Sequence, residues 1–123
     1  MTGSVRNLQA CLSIPLQQPD GKTTAVEFVV DTGFEGALSL PEETVAAMGL
    51  IFELELDSIL ADGSAVATRV YSATIRWEGR PVEVAILALG ERPLLGTALL
   101  EGCDLQIGFY DGGIVTILRV PKK

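Results

Sequence analysis

An all-β fold is what this sequence predicts, from short apolar runs rich in β-formers, thirteen Gly and six Pro scattered between them, and room for only one or two short helices. With 123 residues, 48 % of them hydrophobic, the chain can bury one core but has little length for a second. One domain covering 1–123 is expected.

Leu8 to Leu16 alternates partially and reads as a strand. Gln18-Pro19-Asp20-Gly21 supplies turn chemistry, and Thr23 to Val30 resumes in β-formers, so the first pair is a hairpin. Val29-Val30 runs directly into Asp31-Thr32-Gly33, which places an acid where a buried strand ends and a Gly-containing loop begins. Pro41 to Gly49 has Pro and two acids at its start and Gly at its stop, the signature of a short helix. Strands follow from Ile51 to about Leu60 and from Ala65 to Trp77. Between them lies Ala61-Asp62-Gly63-Ser64, whose Asp-Gly step is the strongest hairpin signal in the chain. A long hairpin should project here. Glu78-Gly79-Arg80 makes another turn, Val82 to Leu89 another strand, and Leu94-Leu95-Gly96 opens a helical turn through Glu101. Leu105 to Phe109 and Ile114 to Val120 close the chain around Asp111-Gly112-Gly113. No repeat of solenoid period, low-complexity segment or linker is visible.

Composition excludes several chemistries. Nine Lys plus Arg stand against sixteen Asp plus Glu, a formal net charge of −7, and no basic run exceeds Lys122-Lys123. Nucleic acid and anionic membranes are therefore not expected partners. There is no His, and the two cysteines, Cys11 and Cys103, have no metal-ligand spacing. A Ser-His-Asp or Cys-His site needs an imidazole to take the nucleophile's proton, and most zinc sites use His or closely spaced Cys. Met1 to Asn7 has no basic region leading into a long apolar core, and no apolar stretch reaches membrane-spanning length. A soluble cytoplasmic protein with reduced thiols is expected, with one intramolecular disulfide left open.

Three segments then point to one chemistry. Two apolar residues followed by Asp31-Thr32-Gly33 resemble the catalytic loop of aspartic proteases, although the triplet by itself is also ordinary turn chemistry. The hairpin around Asp62-Gly63 lies where that family has its flap. Leu94-Leu95-Gly96, followed by Thr97-Ala98-Leu99-Leu100, resembles the apolar-apolar-Gly element before the family's C-terminal helix. The likeness runs from Leu8 to Val120 and points to the small, single-domain, retropepsin-like branch of bacterial type. It implies a closed β-barrel of acid-protease type with one or two short helices, forming half of a two-fold dimer.

The resemblance also implies roles. Only one Asp-Thr-Gly is present, and the reaction needs two carboxylates sharing a proton, one acting as base toward water while the other donates to the scissile carbonyl. Such a chain must form a homodimer in which each copy contributes Asp31. Like charges placed together split their titration, so acidic to mildly acidic pH should favour activity. Thr32 would hydrogen-bond across the dimer axis, and Gly33 would let the backbone approach the carboxylates. The hairpin tip, Asp62, Gly63 and Ser64, would fold over an extended peptide, or else is an ordinary surface turn. Leu94, Leu95 and Gly96 would support the loop from beneath. No cofactor and no metal is implied.

This chain departs from the family after the triplet, where many members have a small residue and it has Phe34-Glu35-Gly36. Phe34 either shapes a substrate subsite or packs under the loop; Glu35 either raises an Asp31 pKa or faces water. Glu53, Glu55 and Asp57 alternate along a strand and read as its solvent face, Trp77 as a core or hairpin anchor, and the cysteines as small apolar residues. The terminal segments Val5 to Leu12 and Ile114 to Val120 are candidates for pairing between copies. The function expected is an aspartic endopeptidase. The alternatives are a catalytically inactive retropepsin-fold module that binds peptides or a partner protein, and an unrelated small β-barrel whose Asp-Thr-Gly is only a turn.

Overall fold

The computed structural model describes residues 1–59 and 61–121, so the expected strand end at Leu60 and the Lys122-Lys123 pair lie outside the described residues. Ten strands and two helices follow one another as β1 (Thr2–Arg6), β2 (Gln9–Gln17), β3 (Thr23–Val30), β4 (Leu38–Leu40), α1 (Glu42–Met48), β5 (Ile51–Ile59), β6 (Ala65–Trp77), β7 (Arg80–Ala88), β8 (Leu94–Leu95), α2 (Thr97–Leu100), β9 (Cys103–Ile107) and β10 (Ile114–Arg119). The all-β expectation holds. All ten strands join one sheet in the order β5-β6-β7-β4-β8-β3-β2-β1-β10-β9, and an additional β6–β2 pairing closes β2, β3, β8, β4, β7 and β6 into a ring.

Side-chain alternation determines which face of each strand turns into that ring. Leu12, Ile14 and Leu16 on β2 sit two residues apart and are fully buried, as Ile75 and Trp77 are on β6 and Ile86 on β7. Phe28, Leu38, Leu40 and Leu95 complete the same cluster. A slip of one residue would turn an entire apolar row to water, and each such side chain contributes roughly 2 kcal/mol when buried, so the register is strongly specified. Trp77 is a core residue, 3 % exposed. Cys11 is buried, Cys103 is half-buried, and both thiols are free; burial first, then Glu78 beside it, pushes the Cys103 thiol up.

The helices end where the sequence placed their stops. Glu42 and Glu43 occupy the first turn of α1, and Gly49 takes the left-handed conformation, φ 63°, donating its N–H to Ala46. Of the two helices, neither is long and apolar enough to cross a membrane, among the described residues.

The chain's beginning differs from expectation. A further strand, β1, precedes the predicted one and pairs with β2 through Val5↔Ala10 and with β10 through Gly3↔Val115. Its two-residue turn uses Asn7 at φ 51° and Leu8 at φ 60°. Both values belong to the type I′ hairpin turn, which normally selects Asn-Gly, and Leu is a poor residue there because its Cβ crowds the left-handed backbone. That is why the sequence conceals the hairpin. Leu8 is also 72 % exposed, so its side chain contributes little packing. Leu8→Gly is therefore expected to stabilise the protein by about 1 kcal/mol, read as a rise in the urea midpoint at unchanged slope; an unchanged or lowered midpoint would contradict the strain.

β1 also changes which edges are free. Val5 to Leu12 and Ile114 to Val120 were the expected pairing segments, but β1 lies between β2 and β10, and β10 between β1 and β9. Both are interior. The ends of the sheet are β5 and β9.

Candidate active site

β3 delivers Asp31 to the site. It pairs parallel with β8, Val29↔Leu94 and Val30↔Leu95, and the ladder ends on a hydrogen bond from the Asp31 N–H to the Leu95 carbonyl at 2.9 Å. The loop then turns at once. Phe34 N–H donates to the Asp31 carbonyl at 3.1 Å, and Gly33 N–H donates to the Asp31 Oδ1 at 2.9 Å, so one carboxylate oxygen is held by the loop's own backbone. Asp31 is half-buried, whereas Thr32 and Gly33 are exposed. A Cβ on Gly33 would stand 3.2 Å from that Oδ1, closer than nearly all Cβ contacts, so the bare glycine lets the backbone approach the acid.

The segment after β8 grips the far side of the loop. Gly96 N–H donates to the Ala37 carbonyl at 2.9 Å, Thr97 N–H to the Phe34 carbonyl at 2.8 Å, and Ala98 N–H to the Gly36 carbonyl at 3.2 Å. Leu38↔Leu95 pairing of β4 with β8 anchors the loop's exit. Leu95 and Gly96 are buried and Leu94 is half-buried. Sequence reasoning found Leu94, Leu95 and Gly96 as supports but missed Thr97, whose hydroxyl reaches the same Phe34 carbonyl at 3.3 Å. Nothing in its residue type announces this role; only its place after the glycine does.

Phe34 lies in this clasp. Its ring occupies the space that a Cβ on Gly36 or Gly96 would need. The ring thus packs over two glycines beside the acid, while the residue as a whole stays half-buried. Glu35 is exposed. Asp31, Thr32, Gly33, Phe34, Leu94, Leu95 and Gly96 therefore form one local constellation.

Asp62, Gly63 and Ser64 stand apart from it, at the tip of the β5–β6 hairpin, and all three are exposed. Asp62 Oδ1 accepts the Ser64 hydroxyl at 2.6 Å and the Ser64 N–H at 2.9 Å, while Gly63 takes φ 87°. The hydroxyl bond first, and then the backbone bond, holds the Asp62 carboxyl below the usual carboxylate range. These bonds satisfy the turn internally. The arm behind it is apolar as well as acidic: Phe52, Leu54, Leu56 and Val66 are exposed alongside Glu53, Glu55 and Asp57. Its base is fixed by the Phe52–Tyr71 edge-to-face contact, centroids 5.7 Å apart. An arm of this composition offers apolar surface that no other part of its own chain covers, among the described residues.

Comparison with solved structures matches the fold of the chain. EIAV protease complexed with the inhibitor HBY-793 shares 19 % sequence identity and a TM-score of 0.53, over 79 % of this chain and 91 % of that one. A retropepsin-like aspartic protease from Rickettsia conorii gives 18 % identity and a TM-score of 0.48, over 95 % of this chain and 99 % of the other. No family model and no curated protein matches the sequence. The chain has an all-β, retropepsin-like fold.

Proposed function

We propose that this chain is half of an aspartic endopeptidase, completed when two copies pair and bring their Asp31 carboxylates together. The observation that carries the reading is a single half-buried acid, anchored by Leu95 and Gly33, in a loop clasped by the Gly96 segment of a retropepsin-like fold. One carboxylate cannot take a proton from water and give one to the scissile carbonyl in the same step, so the chain alone lacks half of the reaction.

In the pair, the ionised Asp31 takes a proton from a water that attacks the peptide carbonyl carbon, and its protonated twin donates to the carbonyl oxygen. The tetrahedral diol then collapses, the C–N bond breaks, and the nitrogen leaves with a proton from the dyad. Carboxylates placed together cannot both ionise freely, so the singly protonated state is populated in acidic to mildly acidic solution. Substrate binds extended, with the β5–β6 hairpin folding over it and the hairpin's backbone and apolar faces meeting the chain. The cytoplasm is the proposed setting.

Incubating the protein with a diverse peptide library from acidic to neutral pH, and reading products by mass spectrometry, tests this directly. Cleavage by the unsubstituted protein but not by Asp31→Ala, with matched fold and dimer content, is the expected result. Verified dimers that cut nothing at any pH would remove the enzymatic reading and favour a peptide- or partner-binding module.

A further inference from the structure

Beside the acid loop the sheet holds an open cavity of about 500 Å³ that the proton transfers leave unused. Its position follows from the strand register. Directly opposite residues share a face, so Cys11 projects with Val29, and Arg6 with Gln9 on the next pair of strands. Leu12 and Phe28, also opposite each other, are fully buried on the core side, which leaves Cys11, Glu27 and Val29 on the other face. One more step of two residues along the chain reaches Asp31. The cavity therefore begins roughly 7 Å from the acid on the same face. Its second wall is Glu91-Arg92-Pro93, seated against β3 by the hydrogen bond from the Val29 N–H to the Pro93 carbonyl at 3.0 Å.

Charge is distributed unevenly over this lining. Arg6 and Glu27 form an ion pair with each other, both more than half exposed. Across the cavity Glu91 and Arg92 are exposed, and among the described residues neither forms an ion pair. Arg92 is one residue nearer than Glu91 to the Pro93–Val29 bond that leads to Asp31. An anionic side chain entering here meets the whole planar fork of Arg92 and the N–H donors of Arg6 that Glu27 leaves over. A cationic one finds Glu27 already taken by Arg6, and Arg92 repels it. Cys11, Val29 and Pro93 supply apolar wall for the methylenes of a longer side chain.

We infer that this cavity is a charge-selective subsite that takes an acidic side chain of the peptide, Glu above all, and that Arg92 makes the selection. The inference rests on the proposed protease reading and names a substrate class for it. An extended peptide rises about 3.3 Å per residue and turns alternate side chains to one face. A side chain held roughly 7 Å from Asp31 thus belongs to a residue within about two positions of the scissile bond. Arg92 takes no part in the proton transfers, so its replacement should change which peptides are cut and not whether any is cut.

The test is kcat/KM at about pH 6, where a peptide glutamate is ionised, for peptides carrying Glu, Gln or Lys at each position within about two residues of the scissile bond. At one of these positions the Glu peptide is expected to be cut roughly tenfold faster than the Lys peptide. Arg92→Gln should erase that difference and Arg92→Glu should invert it. Arg76 is exposed on β6 and outside the cavity, so Arg76→Glu makes the same change of net charge and should leave the preference standing. Circular dichroism verifies the fold of each variant. No preference for Glu, a preference that survives Arg92→Gln, or an equal loss of all three peptides overturns the subsite and leaves the protease reading intact. If the unsubstituted protein cuts no peptide, the protease reading falls, and fluorescence anisotropy of the same peptides then reads the cavity. Binding that favours Glu and loses that preference in Arg92→Gln supports the selectivity without the chemistry; binding without preference, or no binding, overturns it.

Discussion

Mixing the protein with an equal amount of its Asp31→Asn variant is expected to leave about one quarter of the peptide-cleaving activity shown by the same total amount of unsubstituted protein, once subunits have exchanged. The figure follows from the chemistry at the site. Each chain supplies one Asp-Thr-Gly, so a mixed dimer has one carboxylate and one amide. The amide can neither take a proton from water nor donate an acidic proton, and the mixed species is as silent as the doubly substituted one. The homogeneous variant should lose about a thousandfold or more in rate, the order expected when acid–base catalysis is removed. Asn preserves the shape of the side chain, and its Oδ1 can still accept the Gly33 N–H that now reaches the carboxylate at 2.9 Å. Loss of activity would then report the proton and not a collapsed loop. If each subunit worked alone, the equal mixture would retain about one half. That result, or an active homogeneous variant, would take the paired-acid reading away.

The fold and the acid were legible in the sequence for physical reasons that fail elsewhere in the same chain. β3 and β6 matched their expected spans because long β-rich runs end in recognisable turns, Asp31-Thr32-Gly33 after β3 and Glu78-Gly79 after β6. α1 was visible because Pro41 and Gly49 punctuate it. β1 was hidden by Leu8, a residue that the type I′ conformation selects against. β8, two residues long, pairs parallel with β3 and antiparallel with β4; no local pattern encodes which distant strands a two-residue segment will join. The clasp was equally silent, since it consists of backbone carbonyls on Phe34, Gly36 and Ala37 that any residue carries. Phe34 could be read either way from its type, and only the position of its ring over Gly36 and Gly96 shows a packing contact. The free edge at β9 depended on the whole strand order, because a strand becomes an edge only through where all the others have gone.

Gly96 is where that clasp is most exposed to a single methyl group. A Cβ there would run into the carbonyl oxygens of Gly36 and Phe34, and into the Phe34 ring. The ring can turn aside, but the carbonyls cannot move without breaking the bonds they accept from Ala98 at 3.2 Å and Thr97 at 2.8 Å. Gly96 is buried, and its own N–H is tied to Ala37, so the glycine cannot retreat either. Gly96→Ala is therefore expected to cost about 3 kcal/mol, at the upper end for forcing volume into a packed site. In a domain of ordinary marginal stability that is a large share of the whole. The check is urea unfolding of Gly96→Ala beside Gly63→Ala at the hairpin tip, where a Cβ meets open space and only the positive φ of 87° opposes it. The tip variant should lose about 1 kcal/mol and the clasp variant several times that, with Phe34→Ala giving little rescue because the obstruction is mainly backbone. Equal losses at the two glycines would mean that the loop yields freely around Gly96. The Asp31 carboxylate would then lack the rigid support that holding two acids in one geometry demands.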